Sequence, residues 1–128
     1  MTKKHEEEAG RYAYEGLERL MHEKARLGIL VSLAARPEGV VFNELRDLCA
    51  LTDGNLSRHV QMLQEAGLVE IWKGFKGRRP MTICRLSPEG RERFLAYIKE
   101  LENVVKDASK AKSKKSLPEL DADGFQLA

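Results

Sequence analysis

Asn55, Ser57, Arg58, Gln61 and Gln64 fall on one face of a candidate helix within LTDGNLSRHVQMLQEAGLV, Leu51 to Val69. Arginine, asparagine and glutamine are the side chains that make paired hydrogen bonds to base edges. Ser57, with the free N–H groups of a helix start, suits phosphate oxygens. A second cluster follows at once. Between Val69 and Leu86 stand Lys73, Lys76, Arg78, Arg79 and Arg85, five basic residues against the single acid Glu70. The whole chain carries a net charge of only +2, so the charge is focused on one short segment. A basic segment of that kind is what a phosphate-facing element requires. Together the two clusters predict a helix laid in the major groove of double-stranded DNA, with Thr52, Asn55, Ser57, Arg58 and Gln61 at base edges and nearby phosphates. Lys76, Arg78 and Arg79 would approach the minor groove or flanking backbone, and Lys73 a phosphate.

Each cluster needs an element to hold it. Thr52 is a good N-cap, Asp53 suits the positive end of the helix dipole, and Gly67 can take the left-handed conformation that ends a helix. Leu56, Val60 and Leu63 recur at helical spacing and define the inward face. Leu68–Lys73 and Met81–Leu86 read as paired strands joined by a turn-rich tip, Gly74–Pro80.

Upstream, Glu6–His22 reads as a helix with an apolar stripe of Ala9, Tyr12, Ala13, Leu17, Leu20 and Met21. Glu23–Ala35 is apolar nearly all round and belongs in a core. Pro37 breaks that helix, and Val40–Phe42 is a short extended piece. Asn43 is a candidate N-cap for a third helix, Glu44–Ala50, with Leu45, Leu48 and Cys49 inward. Two helices, a short turn and the reading helix second give helix-turn-helix geometry.

Ser87 and Pro88 open a last helix that runs to about Ala108. Its stripe of Phe94, Tyr97, Ile98, Leu101, Val104, Val105 and Ala108 outruns the core of one small domain. The expectation is that it pairs, with the N-terminal helix, against a second copy of the chain. The predicted homodimer interface is Tyr12, Leu17, Leu20, Phe94, Tyr97, Ile98, Leu101 and Val105. The alternative is that both helices fold back on their own domain. Residues 109–128, with the lysine-rich SKAKSKKS run, read as a disordered tail.

Composition sets limits. A chain of 128 residues allows one domain with a modest core and no separate catalytic domain. With 6% aromatic residues, stacking on single strands is not the expected mode. No apolar run approaches the roughly 20 residues of a membrane span, and MTKKHEEEAG lacks a signal peptide's apolar stretch. The expectation is a cytoplasmic protein with no membrane partner.

Catalysis and metal binding find no support. There is no glycine-rich phosphate loop, serine nucleophile motif or paired-carboxylate setting, so no catalytic residue, metal site or cofactor is expected. Cys49 and Cys84 lie far apart in sequence, and Cys49 is read as a small buried hydrophobe. His5, His22 and His59 are scattered. His59, beside the inward Val60, is read as a half-buried packing residue, and Trp72 as a hydrophobic anchor for the hairpin.

The run from about Glu23 to Glu102 resembles the winged helix-turn-helix regulators of the MarR-like and ArsR-like groups. The matching residues are Thr52-Asp53-Gly54-Asn55-Leu56-Ser57-Arg58-His59, Glu65-Ala66-Gly67-Leu68-Val69, Lys73 to Pro80, and Leu86-Ser87-Pro88-Glu89-Gly90-Arg91. The resemblance implies a dimeric transcription regulator. Some ArsR-like relatives hold metal through paired cysteines before the turn; here that region has Cys49 alone. The expected fold is mainly α with a small β-wing, a winged helix-turn-helix domain with N- and C-terminal dimerisation helices. Its parts are an N-terminal helical extension (1–22), the DNA-binding domain (23–87), the dimerisation helix (88–108) and the tail (109–128). The expected function is a sequence-specific regulator, a repressor, acting as a homodimer on a near-palindromic operator. The alternatives are a protein–protein module without DNA binding, or a sensor on the same scaffold responding to a small-molecule effector or redox change.

Overall fold

The computed structural model describes residues 8–110, 120 and 124–128. Four helices and a three-stranded antiparallel sheet follow in the order α1 (Lys24–Ala35), β1 (Val40–Val41), α2 (Phe42–Leu48), α3 (Asp53–Glu65), β2 (Val69–Lys76), β3 (Arg79–Leu86) and α4 (Pro88–Ser109). The sheet order is β1-β3-β2. This is the mainly α winged arrangement that the sequence predicts.

Helix starts follow local chemistry. Glu23 caps α1 with both carboxylate oxygens, accepting from Ala25 N at 3.1 Å and Arg26 N at 3.0 Å. Those bonds favour its charged form and hold its pKa below the ordinary value. Thr52 caps α3 by accepting from Asn55 N at 3.1 Å, and Ser87 caps α4 by accepting from Gly90 N at 2.8 Å. For α2 the expectation fails: Asn43 lies inside the helix, whose N-cap is Val41 with no side-chain bond.

The two helix ends flanking α3 use one device. Past α2, Ala50 N donates to Asp47 O and Leu51 N to Arg46 O; past α3, Gly67 N donates to Gln64 O and Leu68 N to Leu63 O. Each needs a left-handed residue, supplied by Ala50 (φ 52°) and Gly67 (φ 79°). Glycine adopts that conformation freely, whereas alanine pays about 1 kcal/mol for it. Arg46 braces the first turn by donating to Asp47 at 3.0 Å and to Asp53 on α3 at 2.8 Å.

Ile29, Leu30 and Leu33 of α1 meet Leu45, Leu56, Val60 and Leu63 in one core, closed by Val40, Val69, Cys84 and Leu86 of the sheet. Burial pushes the Cys84 thiol up to about 11. Leu48, expected inward, and Val31, on a helix expected to lie within the core, are half exposed instead, because only one side of α1 and of α2 meets the core. Cys49 is half-buried, with its Sγ 3.7 Å from Ser32 Oγ.

The N-terminal segment departs from expectation. Residues 9–23 are a succession of turns, not a helix; Glu6 and Glu7 lie outside the described residues. Gly10 (φ 77°) and Tyr14 (φ 47°) break the helical path, and bonds to α4 replace the helix's own. Arg11 donates to both oxygens of Asp107, each at 2.9 Å, and Tyr14 Oη donates to the same carboxylate at 2.7 Å. Gly16 N donates to Glu100 at 3.3 Å, Arg93 to Glu18 at 2.7 Å, and His22 Nδ1 lies 2.5 Å from Tyr97 Oη. Met21 is fully buried, and Leu17 and Leu20 pack on the core of their own chain.

Two residues expected at a subunit contact are likewise interior. Phe94 and Tyr97 are 3% and 0% exposed within a single chain, stacked at 5.9 Å between ring centroids. Ile98 and Leu101 pack partly on the same core, while Tyr12 and Val105 are exposed. The inward side of α4 is thus covered by the folded-back segment. The tail expected over 109–128 falls largely outside the described residues, and Ser109 itself is the last residue of α4.

Arg11 and Tyr14 hold the Asp107 carboxyl well below the ordinary aspartate value of 3.8. A depressed folded pKa contributes stability that is present above the unfolded value and is lost as pH falls through the folded one. Hydrogen exchange of residues 9–22 is therefore expected to accelerate on acidification below the ordinary aspartate range. The gap in thermal midpoint between the wild type and Asp107→Asn should be widest near neutrality and close in acid. A gap that widens in acid refutes the assignment.

Candidate nucleic-acid interface

The outward side of α3 is open. Thr52, Asn55, Ser57, Arg58, Gln61 and Gln64 are all exposed, while Leu56, His59, Val60 and Leu63 point inward. The exposed side chains are tied only to one another and to their own helix: Arg58 donates to Asn55 Oδ1 at 3.4 Å and Gln61 to Glu65 at 3.3 Å. Weak contacts of this kind leave their polar groups available to a ligand.

His59 is the packing histidine the sequence predicts, 9% exposed. Its Nδ1 lies 3.4 Å from Arg26 Nη1 and 3.9 Å from Glu23 Oε2. Arg26 also donates from Nε to Leu20 O at 2.6 Å. The start of α1 thus supports the back of α3 with charged groups, fixing the angle at which its open face is presented.

The hairpin is longer than the sequence predicts. Pairing runs unbroken from Val69↔Leu86 to Lys76↔Arg79, so the tip shrinks to the two residues Gly77-Arg78. Gly77 has φ 64°, at the first central position where a two-residue hairpin of the II′ kind places glycine. Pro80 fits within β3 because β1 ends at the Val41↔Ile83 pair and leaves the outer half of the hairpin two-stranded.

Charge on the hairpin divides by position. Near its base, Arg85 donates to Glu70 at 2.7 Å and lies 4.8 Å over the Trp72 ring, while Trp72 Nε1 donates to the same carboxylate at 3.0 Å. These bonds hold the Glu70 carboxyl below its ordinary pKa. Trp72 is therefore no buried anchor: it is 54% exposed, on the outer face of the sheet. Beyond that neutralised patch Lys73, Lys76, Arg78 and Arg79 are exposed, and none has an acidic partner among the described residues. The four cations without a partner are the four predicted to touch DNA.

Between helix and hairpin runs a groove of about 390 Å³, with Val60, Ile71 and Cys84 in its floor and Ser57, Gln61, Gln64, Lys73 and Thr82 along its sides. It brings Ser57, Gln61 and Lys73 together. Thr82, which sequence reasoning missed, joins them because it pairs with Lys73 across the strands. The exposed residues predicted at a dimer interface, Tyr12 and Val105, do not line this groove. Groups of histidine, cysteine and acids suited to a metal ion do not occur among the described residues. Nor is any helix there long and apolar enough to cross a membrane.

Known proteins share this architecture. An uncharacterized protein of Methanocaldococcus jannaschii is 39% identical over 66 residues, covering 52% of this chain and 72% of the relative. The transcriptional regulator homologue of Pyrococcus horikoshii OT3 superposes with a TM-score of 0.69 at 27% identity, over 75% of this chain and 95% of that one. The S. aureus MepR–DNA complex gives a TM-score of 0.63 at 15% identity, over 87% and 90% of the two chains. Matched over residues 25–105 by the family model for the winged helix DNA-binding domain, and sharing its fold with MarR, this chain belongs to the winged helix DNA-binding domain family.

Proposed function

We propose that the chain is a sequence-specific regulator, a repressor, that binds a near-palindromic operator in double-stranded DNA as a homodimer. The observation that carries the reading is the pairing of an open, amide- and arginine-bearing face on α3 with four acid-free cations on the outer hairpin. In the MepR complex a protein of this fold binds DNA. In this reading α3 enters the major groove, with Asn55, Ser57, Arg58 and Gln61 at base edges and adjoining phosphates. Lys73, Lys76, Arg78 and Arg79 meet the flanking backbone and minor groove. Residues 23–87 form the DNA-reading unit in this scheme. The exposed Leu95 and Val105 of α4, with Tyr12 on the neighbouring segment, are the apolar surface offered to a second copy.

Selection of bound duplexes from a random library tests the reading directly. The expected product has two half-sites related by a dyad, about 34 Å apart. Sedimentation of the free protein should give twice 14.5 kDa. Arg58→Ala is expected to cost about 1–3 kcal/mol of specific binding while sparing random-sequence binding. Replacing Arg78 and Arg79 together by alanine should weaken all duplexes and lower the slope of log affinity against log salt by about 2 per protomer, about 4 for the homodimer. An unchanged slope would remove the hairpin from the interface. Failure to shift any duplex at low ionic strength would remove the proposal.

A further inference from the structure

Phe75 is the one large apolar side chain at the outer end of the hairpin that nothing above explains. It is 74% exposed, more than any other aromatic ring from Tyr12 to Tyr97. The other exposed ring of the hairpin, Trp72, is held by Arg85 and Glu70; Phe75 has no ring or cation contact among the described residues. Its cross-strand neighbour is Pro80, a second apolar residue, also exposed. Side chains alternate along a strand, so Phe75 shares a face with Lys73 and Ile71, and Pro80 with Thr82 and Cys84. Those four residues line the groove against α3. The Phe75–Pro80 pair therefore extends the α3-facing side of the hairpin, about 7 Å beyond Lys73 at the strand's rise per residue.

Surrounding charge narrows the choice of partner. Lys76 and Arg79 are the next cross-strand pair, and Arg78 lies in the turn. An apolar ring ringed by three cations without acidic partners suits a ligand that is anionic outside and stacked inside. Duplex DNA entered from its minor groove has that chemistry: phosphates flank sugars and base pairs whose steps apolar side chains can open. We propose that Phe75, backed by Pro80, is a wedge that the cationic tip delivers into the minor groove, where it partly unstacks one base step and bends the duplex. This rests on the DNA-binding reading above and adds to it a source of specificity. Pyrimidine–purine steps unstack most easily, so the site should favour TA or CA/TG under each hairpin.

The test uses the full chain and the tightest duplex recovered by the random-library selection. 2-Aminopurine is placed in turn at each step beneath the hairpin, and bending is read by circular permutation. Wild-type protein is expected to brighten 2-aminopurine at one step under each hairpin and to bend the site. Phe75→Ala should lose the brightening and most of the bend and bind about tenfold more weakly for each hairpin engaged, the usual scale for one aromatic–base contact. Its salt slope should not change, since no charge is removed. Phe75→Leu keeps an apolar wedge and should retain most of both signals. Thermal midpoints within a degree or so of the wild type keep the comparison free of folding effects. Phe75→Ala that binds, bends and brightens like the wild type overturns the wedge and leaves the DNA-binding reading standing. Equal losses in the alanine and leucine variants, with lowered midpoints, assign Phe75 to hairpin stability and overturn it too. A wild type that shifts no duplex defeats the DNA-binding reading itself.

Discussion

Gly90→Ala is expected to destabilise the domain by about 3–5 kcal/mol, at the severe end for adding one methyl group. A Cβ at this position would stand 1.9 Å from the carbonyl oxygen of Leu68, and 2.7 and 2.8 Å from its C and Cα. All three are backbone atoms, so no side chain can swing away. Nor can Leu68 retreat. Its N–H is bonded to Leu63 O, and its carbonyl accepts from Ser87 N at 3.0 Å. Ser87 Oγ in turn donates to Gly67 O at 2.6 Å while accepting from Gly90 N. Relief requires α4 to tilt away from the turn between α3 and β2, which would break several of these bonds together. Gly54→Ala is the matched control: it lies in a helix with nothing within 4 Å of the added carbon. That change should stabilise by about 0.5–1 kcal/mol through helix propensity. Urea midpoints of the two variants give the answer, and a Gly90→Ala midpoint equal to the wild type would contradict the close approach.

Tyr97→Ala is expected to cost about 3–5 kcal/mol, the range for emptying a large aromatic site in a core. The ring is fully buried, stacks on Phe94, and places its hydroxyl beside His22. Tyr97→Phe keeps the ring and should cost only about 1 kcal/mol for the lost hydrogen bond. The pair of variants also distinguishes the interior of one chain from a contact between two. Burial within a chain predicts a deficit that is the same at dilute and concentrated protein, whereas a subunit contact predicts one that is absent in dilute protein and grows with concentration. A deficit that disappears at high dilution would return Tyr97 to the subunit boundary.

Much of this arrangement is legible locally. Thr52, Ser87 and Gly67 mark helix ends through bonds to residues within three or four positions, so a short window of sequence contains both partners. The inward set Leu56, Val60 and Leu63 follows from spacing alone, as does the open face of Asn55, Ser57, Arg58 and Gln61. What a window cannot hold is a bond across the chain. Ala9, Tyr12, Ala13 and Leu17 have helical spacing, yet Arg11 and Tyr14 bind Asp107, more than 90 residues away, and those bonds set the path of residues 9–23. The same reason moves Phe94 and Tyr97 from an expected subunit contact to the interior. The hairpin's outer half was hidden differently. Glycine and proline between Gly74 and Pro80 read as a loop, and only pairing along the partner strand draws them into β2 and β3. The partner of Lys73, Thr82, is visible once that register is known.

The pairing of Arg85 with Glu70 and Trp72 has a bearing on how the molecule meets a polyanion. With the root of the hairpin neutral and its far end cationic, the arm resembles a compass needle with one pole exposed. At low ionic strength the field of a long anionic lattice exerts a torque that turns the molecule hairpin-end first, before any helix is within reach. Once the screening length falls to about 8 Å, near physiological salt, that torque acts only in the last moments of approach. Orientation then has to be found by diffusion along the lattice.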